Sequence, residues 1–382
     1  MAIAQAGNNG GSAESGGGPY RVMVVDDSAV VRGLITKTIE SDKEIEVVRS
    51  VGNGKLAVDS IGQNGIEIVI LDIEMPVMDG LTALPKILEI NPNIKVIMAS
   101  TLTMKNAEIS LKALQAGAAD YIAKPTTSRE MTGGQDFEHD LCERVKALGI
   151  GRPERSADSP AKAKAKVASK IVKKPSGPIT LRPEPIAHSK PKILAVGSST
   201  GGPQALFELF KGLSGKINVP IVVTQHMPPT FTTILAQHIT RTTGIPAEEA
   251  QEGSALEPGK ILIAPGDFHM ILKERGDKVI ATLNQDPPVN YCRPAVDPMF
   301  ESVVKIYGKK TLGVILTGMG YDGRNGSKTL VEAGGVIFAQ DEESSVVWGM
   351  PGAVAEAGIC SAVLPITQLA PRVLDYFSKG VG

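Results

Sequence analysis

From Tyr20 to about Leu148, five short β-branched runs alternate with stretches whose apolar residues recur at helical spacing. Four of the runs end in polar residues. Asp26 and Asp27 close Val22-Met23-Val24-Val25, and Asp72 closes Ile66 to Leu71. Ser100 follows Val96-Ile97-Met98-Ala99, and Lys124 follows Tyr121-Ile122-Ala123. Continuous apolar runs of this length read as strands buried on both faces, so the pattern predicts a (βα)5 domain around a parallel sheet. Ser28 and Asp79-Gly80 mark two helix starts, because a short polar side chain there can accept a free first-turn amide. Strands of a parallel sheet point their carboxyl ends at one crevice, and the five polar residues would meet in it.

The pattern stops after Leu148. Arg152 to Lys192 carries an Ala-Lys repeat over 161–166, Lys173-Lys174-Pro175 and further prolines, with few large apolar residues. Such a stretch cannot bury enough surface to fold and reads as a flexible basic linker. From Ile193 the apolar runs resume at 193–196, 221–223, 261–263, 279–281 and 312–316, with helical patterns at 203–212, 230–242 and 324–333. The runs between 260 and 283 lie too close together for intervening helices. They predict an antiparallel hairpin within a mostly parallel, doubly wound α/β sheet. The expected division is a disordered Gly/Asn/Ser-rich tail over 1–18, a first domain over 19–149, a linker over 150–190 and a second domain over 191–382.

Bulk properties narrow the classes. A chain of 382 residues suits two cores better than one. Its net charge of −1 supplies no general field for nucleic acid. No run approaches the roughly 20 apolar residues that a membrane-crossing helix needs. The first residues lack the basic start and apolar stretch of a signal peptide. Three scattered cysteines, Cys142, Cys292 and Cys360, fit a reducing compartment better than a disulfide framework. A cytoplasmic protein without membrane insertion is expected.

The first domain's polar residues define a chemistry. Asp26, Asp27 and Asp72 offer hard oxygen ligands suited to Mg²⁺. Capping alone would explain a lone Asp pair at a strand end. The full order here is Asp26-Asp27, then Asp72-Ile73-Glu74-Met75-Pro76 with Asp79-Gly80, then Ser100, then Lys124-Pro125. It resembles the receiver domain of bacterial response regulators. That resemblance implies that Asp72 accepts a phosphoryl group with Mg²⁺ held by Asp26, Asp27, Asp72 and the Glu74 carbonyl. It makes Lys124 a partner of a phosphate oxygen and Ser100 a hydroxyl that turns to the phosphate once it arrives. The Lys124–Pro125 bond is a candidate cis peptide.

The second domain is too large, and too rich in glycine at strand ends, for a helix-turn-helix output. Gly197-Ser198-Ser199-Thr200-Gly201 matches G-x-S-x-G, a turn that can present the Ser199 hydroxyl at a helix start or merely cap that helix. Among five histidines, His226 alone follows a buried-looking strand at the same end, ahead of Met227-Pro228-Pro229. An imidazole there is either a general base or a hydrogen-bonded structural group. A carboxylate would orient that base. Asp322 in Thr317-Gly318-Met319-Gly320-Tyr321-Asp322-Gly323 is the leading candidate, and Asp267, Asp286, Asp297 and Asp341 are rivals. The same stretch matches G-x-G-x-x-G with Asp341 about 20 residues on, so a dinucleotide site is an alternative. Cys292 is either a reactive thiol or a small buried group. Arg293 either grips a substrate carboxylate or makes a structural ion pair.

Four stretches are similar to the catalytic domain of the chemotaxis receptor methylesterases, the CheB family: Gly197–Gly202, Thr224–Pro229, Arg293–Asp297 and Leu316–Gly323. The resemblance implies Ser199 as nucleophile, His226 as base, Asp322 as orienting acid and the Met319 backbone N–H as oxyanion donor. It implies hydrolysis of glutamyl methyl esters on chemoreceptors, glutamine deamidation, a chemotaxis histidine kinase as phosphodonor and no cofactor for the ester chemistry. It also implies that the unphosphorylated receiver covers the active-site mouth. The family often has Ser where Ala295 stands, and the Ser198 hydroxyl reads as incidental.

Overall fold

The computed structural model describes residues 18–63, 65–101, 103–124, 135–149, 179–184 and 189–380. The expected N-terminal tail, the Lys124–Pro125 bond, His188 and most of the 150–190 linker lie outside them.

The first unit runs β1 (Tyr20–Val25), α1 (Ala29–Ile39), β2 (Ile45–Val51), α2 (Gly54–Ser60), β3 (Ile68–Asp72), α3 (Gly80–Ile90), β4 (Lys95–Ser100), α4 (Met104–Gln115), β5 (Asp120–Ala123) and α5 (Gln135–Gly149). Its five strands are parallel in the order β2-β1-β3-β4-β5. Every residue of β3 is buried, as a strand covered by helices on both faces must be. Ser28 accepts the Val31 amide to start α1, and Asp79 accepts the Thr82 amide at 2.7 Å to start α3.

The second unit comprises β6 (Ile193–Ser198), α6 (Gly202–Leu213), β7 (Ile221–Gln225), α7 (Phe231–Thr243), β8 (Ala247–Glu249), β9 (Ile261–Ile263), β10 (His269–Arg275), β11 (Lys278–Asn284) and α8 (Val296–Tyr307). It continues with β12 (Thr311–Ile315), α9 (Arg324–Glu332), β13 (Val336–Gln340), α10 (Met350–Glu356), β14 (Ala362–Leu364) and α11 (Ile366–Lys379). Seven strands pair in parallel as β14-β13-β12-β6-β7-β9-β8. The antiparallel hairpin is present, but β10 and β11 form a two-stranded sheet of their own rather than a part of the large one. Strand β11 is half-buried along most of its length, with only Ala281 fully covered.

Each sheet reverses its strand order beside the first strand of its unit, and in the second β9 also lies inside the edge strand β8. The reversal falls between β1 and β3 in the first and between β6 and β12 in the second. Helices leaving neighbouring strands at that point depart to opposite faces, which opens a crevice beyond the carboxyl ends.

The two units pack together. Tyr121 of β5 stacks on Phe231 of α7 at 4.6 Å between ring centroids and 9° between planes. Gln204 Nε2 in α6 donates to the Leu114 and Ala118 carbonyls, and the Thr200 hydroxyl donates to Asp120. Val347 joins an apolar cluster of the first unit that includes Leu141, and Met319 and Val346 pack against that cluster. Of the expected linker, the described stretch 179–184 lies along the second unit. There the Arg182 amide donates to the Cys360 carbonyl, and Glu184 pairs with Arg372.

Phe338 of β13 anchors the core of the second unit: it is fully buried, edge-on to Tyr376 at 5.7 Å and under the Arg372 guanidinium at 5.0 Å. Phe338→Ala should cost about 3–5 kcal/mol through lost burial and a residual cavity. Denaturant unfolding that follows the second unit's transition would measure it.

Candidate active site and phosphoacceptor site

At the first reversal, carboxylate oxygens of Asp26, Asp27 and Asp72 all lie within 4.8 Å of one another. Lys124 Nζ bridges two of them, 2.7 Å from Asp26 and 2.6 Å from Asp72. Burial lifts the Asp72 carboxyl above its ordinary pKa, opposed by the Lys124 ammonium and by the Glu74 amide, which donates to it. The Glu74 side chain instead faces outward to Lys105 at 2.7 Å, so only its backbone is turned to the cluster. Ser100 sits at the same rim, buried, with its hydroxyl on the Thr101 carbonyl at 3.1 Å and its own carbonyl accepting the Lys124 amide. Three clustered oxygen donors, one of them exposed, fit a hard divalent cation that retains waters.

At the second reversal, β6 lies between β12 and β7. Ser198 pairs in register with Gln225, so Ser199 and His226 are the next residues on adjacent strands, and the His226 amide donates to the Ser198 carbonyl at 3.1 Å. On the other side the Ser199 amide donates to the Thr317 carbonyl at 3.0 Å. A Cβ on Gly318 would fall 2.8 Å from Ser199 Cβ, so only glycine lets the β12 loop come this close. The Met319 amide donates to no group among the described residues, which leaves it free for a ligand.

His226 Nε2 lies 2.7 Å from Asp322 Oδ2. That carboxylate also accepts the Val296, Asp297 and Gly323 amides at 2.6, 3.2 and 2.9 Å and the Asn290 side-chain amide at 3.3 Å. Val296 and Asp297 open α8, whose capping residue Ala295 has no side chain to satisfy them, so Asp322 serves as the cap from a distant loop. Burial works against an ionised Asp322, yet the His226 hydrogen bond and these amides prevail and keep its pKa below the ordinary carboxylate value. For His226, burial favours the neutral ring, but the neighbouring Cys292 sulfur and the hydrogen bond to the Asp322 carboxylate raise its pKa above 6.5. The Asp322 carboxylate thus engages Nε2, and no hydrogen bond joins the ring to the Ser199 hydroxyl in this arrangement.

The rival carboxylates are otherwise engaged. Asp267 pairs with Arg293 at 2.6 Å, and Asp341 accepts from Ser344. Asp297 takes the Gly326 amide at 2.7 Å and is pushed up to about 6 by burial and by the Asp322 charge. Asp286 is exposed. Arg293 adds the Gln285 and Asp286 carbonyls to its ion pair, so it is engaged within the fold. Within the G-x-G-x-x-G stretch the Gly323 amide is committed to Asp322, whose charge occupies the place a pyrophosphate would need.

Two residues matter here that the sequence did not single out. Gln225 Nε2 donates to the Ser199 carbonyl at 2.9 Å, and the Ser198 hydroxyl donates to Gln225 Oε1 at 2.7 Å. The reading of the Ser198 hydroxyl as incidental is therefore corrected: it orients the amide that holds the Ser199 backbone. Only the register Ser198↔Gln225 could have indicated this.

Residues 194–373 match the CheB methylesterase family model, and residues 22–133 match the response regulator receiver domain. A protein-glutamate methylesterase/protein-glutamine glutaminase of Rhodospirillum rubrum is 58% identical, over 95% of this chain and 96% of that protein. Its counterpart in Azospirillum brasilense is 53% identical over 98% and 97%. The crystal structure of the Thermotoga maritima CheB methylesterase catalytic domain is 42% identical, with a TM-score of 0.47, covering 48% of this chain and 98% of that one. The fold and its two sites thus define a receiver joined to a hydrolase-like α/β domain. The chain belongs to the CheB protein-glutamate methylesterase family.

A raised imidazole pKa means that folding favours the imidazolium. Its contribution to stability is full below pH 6.5 and is lost as the pH rises through the folded-state value above it. A base must be neutral to act, so a His226-dependent hydrolysis should climb with pH on the alkaline side of 6.5. A pH–rate profile of kcat/KM measures this, and Asp322→Asn should move the rising limb back toward 6.5 while lowering the rate.

Proposed function

We propose that this chain hydrolyses glutamate γ-methyl esters on chemoreceptors, releasing methanol, and deamidates receptor glutamines by the same route. Ser199 Oγ attacks the ester carbonyl and His226 takes its proton. The oxyanion then lies against the free Met319 amide, and His226 returns the proton to the departing methoxide. Water repeats the sequence on the acyl-enzyme. An amide follows the same tetrahedral path with ammonia as leaving group. Asp322 holds the ring's tautomer and balances the imidazolium. The observation that carries the reading is the 2.7 Å His226–Asp322 bond, formed on the strand end next to that of Ser199. Each oxyanion donor of this kind contributes about 2.7–4 kcal/mol in such enzymes.

A receiver domain implies Mg²⁺-dependent phosphorylation. Asp26, Asp27 and Asp72 would hold the ion with the Glu74 carbonyl, and when bound it neutralises phosphate charge. Asp72 takes the phosphoryl group from the phosphohistidine of a chemotaxis kinase. Lys124, now shared by two carboxylates, turns to a phosphate oxygen, and Ser100 exchanges its bond to the Thr101 carbonyl for another. Control is steric: the receiver rests on the lip formed by Met319, Val346 and Val347.

Ser199→Ala should lower methanol release from methylated receptor by at least 10³-fold with the fold intact; release at the wild-type rate would refute the mechanism. Asp72→Asn should abolish stimulation by acetyl phosphate with Mg²⁺ while basal release persists. Equal stimulation of the variant and the wild type would place control elsewhere.

A further inference from the structure

The contact between the units reaches the residue next to the proposed nucleophile. Thr200 follows Ser199 directly, and its hydroxyl donates to Asp120 Oδ2 of the receiver at 3.0 Å in a buried setting. Asp120 is itself held by Arg144 of α5, whose Nη1 lies 2.5 Å from the same oxygen. Arg144 is tied in turn to Asp140 at 2.9 Å. On the catalytic side, Thr200 is fixed through its carbonyl, which accepts the Thr317 hydroxyl at 2.9 Å. Thr317 also accepts the Ser199 amide on its own carbonyl. One helical turn on, Gln204 reaches the receiver carbonyls of Leu114 and Ala118. Thr200, Asp120 and Thr317 are all at most 3% exposed. The Ser199–Gln204 turn is thus gripped from below by Thr317 in the loop after β12 and from across the interface by the receiver.

We infer that Asp120 is a positioning residue for the nucleophile turn, acting across the domain interface through the Thr200 hydroxyl. A cover that only blocked access would need no polar bond to the backbone neighbour of the nucleophile. The grip holds the Ser199–Gln204 turn in the arrangement seen here, in which the Ser199 hydroxyl and the His226 ring are not bonded. Release of the receiver frees Thr200 and lets the turn bring the hydroxyl to the base. The inference rests on the proposed esterase reading and adds how that site is restrained.

The test uses the full chain with Thr200→Val, which keeps the shape and the backbone and removes the donor, and Thr200→Ser, which restores it. A hydrogen bond to a charged partner supports about a tenfold shift between held and released forms. Unphosphorylated Thr200→Val should therefore release methanol about tenfold faster than wild type. Its rate with acetyl phosphate and Mg²⁺ should stay at the wild-type maximum, and Thr200→Ser should behave as wild type. Hydrogen exchange of the 199–204 amides, which needs no turnover, should quicken in the valine variant as it does in phosphorylated wild type. An unchanged basal rate with unchanged exchange overturns the inference, and so does an equal loss of basal and stimulated rates. If phosphorylated wild type releases no methanol, the esterase reading fails, and the exchange result still decides the grip.

Discussion

A parallel sheet that reverses its strand order must leave a crevice at the reversal, and both sites of this protein depend on that constraint. In each sheet the crevice collects backbone amides that no strand or helix uses, and charged side chains from separate strand ends satisfy them. In the first unit the charge is a carboxylate cluster with one bridging ammonium. In the second it is a single carboxylate that closes the start of α8 and holds an imidazole. The same architectural rule therefore gathers a carboxylate cluster in one place and a carboxylate–imidazole pair in the other. The difference is set by whether the collected residues are oxygen donors alone or include a ring nitrogen.

Asp322 shows how one interaction ties fold to chemistry. Its carboxylate is nearly inaccessible, and an isolated buried carboxylate would take up a proton. Helix amides and the imidazole keep it ionised instead. Removing it would leave the start of α8 unsatisfied and the His226 ring without its Nε2 partner, so helix and imidazole are coupled through this residue. Asp72 is held in the opposite sense. Burial there favours protonation and Lys124 resists it, a balance that shifts when charge is added nearby.

Much of this was legible in the chain. Polar residues directly after apolar runs located both rims, because a buried parallel strand tolerates polarity only where it leaves the sheet. The caps Ser28 and Asp79 were visible for the same local reason. The hairpin's separation from the large sheet was not, since period and spacing do not record which strand a run pairs with. Strands β13 and β14 were passed over although Val336-Ile337-Phe338-Ala339 carries a plain apolar run. The roles of Ser198, Gln225 and Asp120 depend on cross-strand register and on the docking of the two units. Neither leaves a mark in linear spacing.

The stretch 179–184, docked beside Cys360 and Arg372, has a further consequence. It carries the described chain of the second unit upstream of β6 to residue 179, and α5 ends at Gly149, so about 30 residues of sequence lie between them. Even fully extended, a chain of that length spans only about 100 Å, so an undocked receiver would stay at about millimolar local concentration. Re-docking is then unimolecular. The fraction of open molecules depends on the strength of the interface and not on how much of the protein the cell contains.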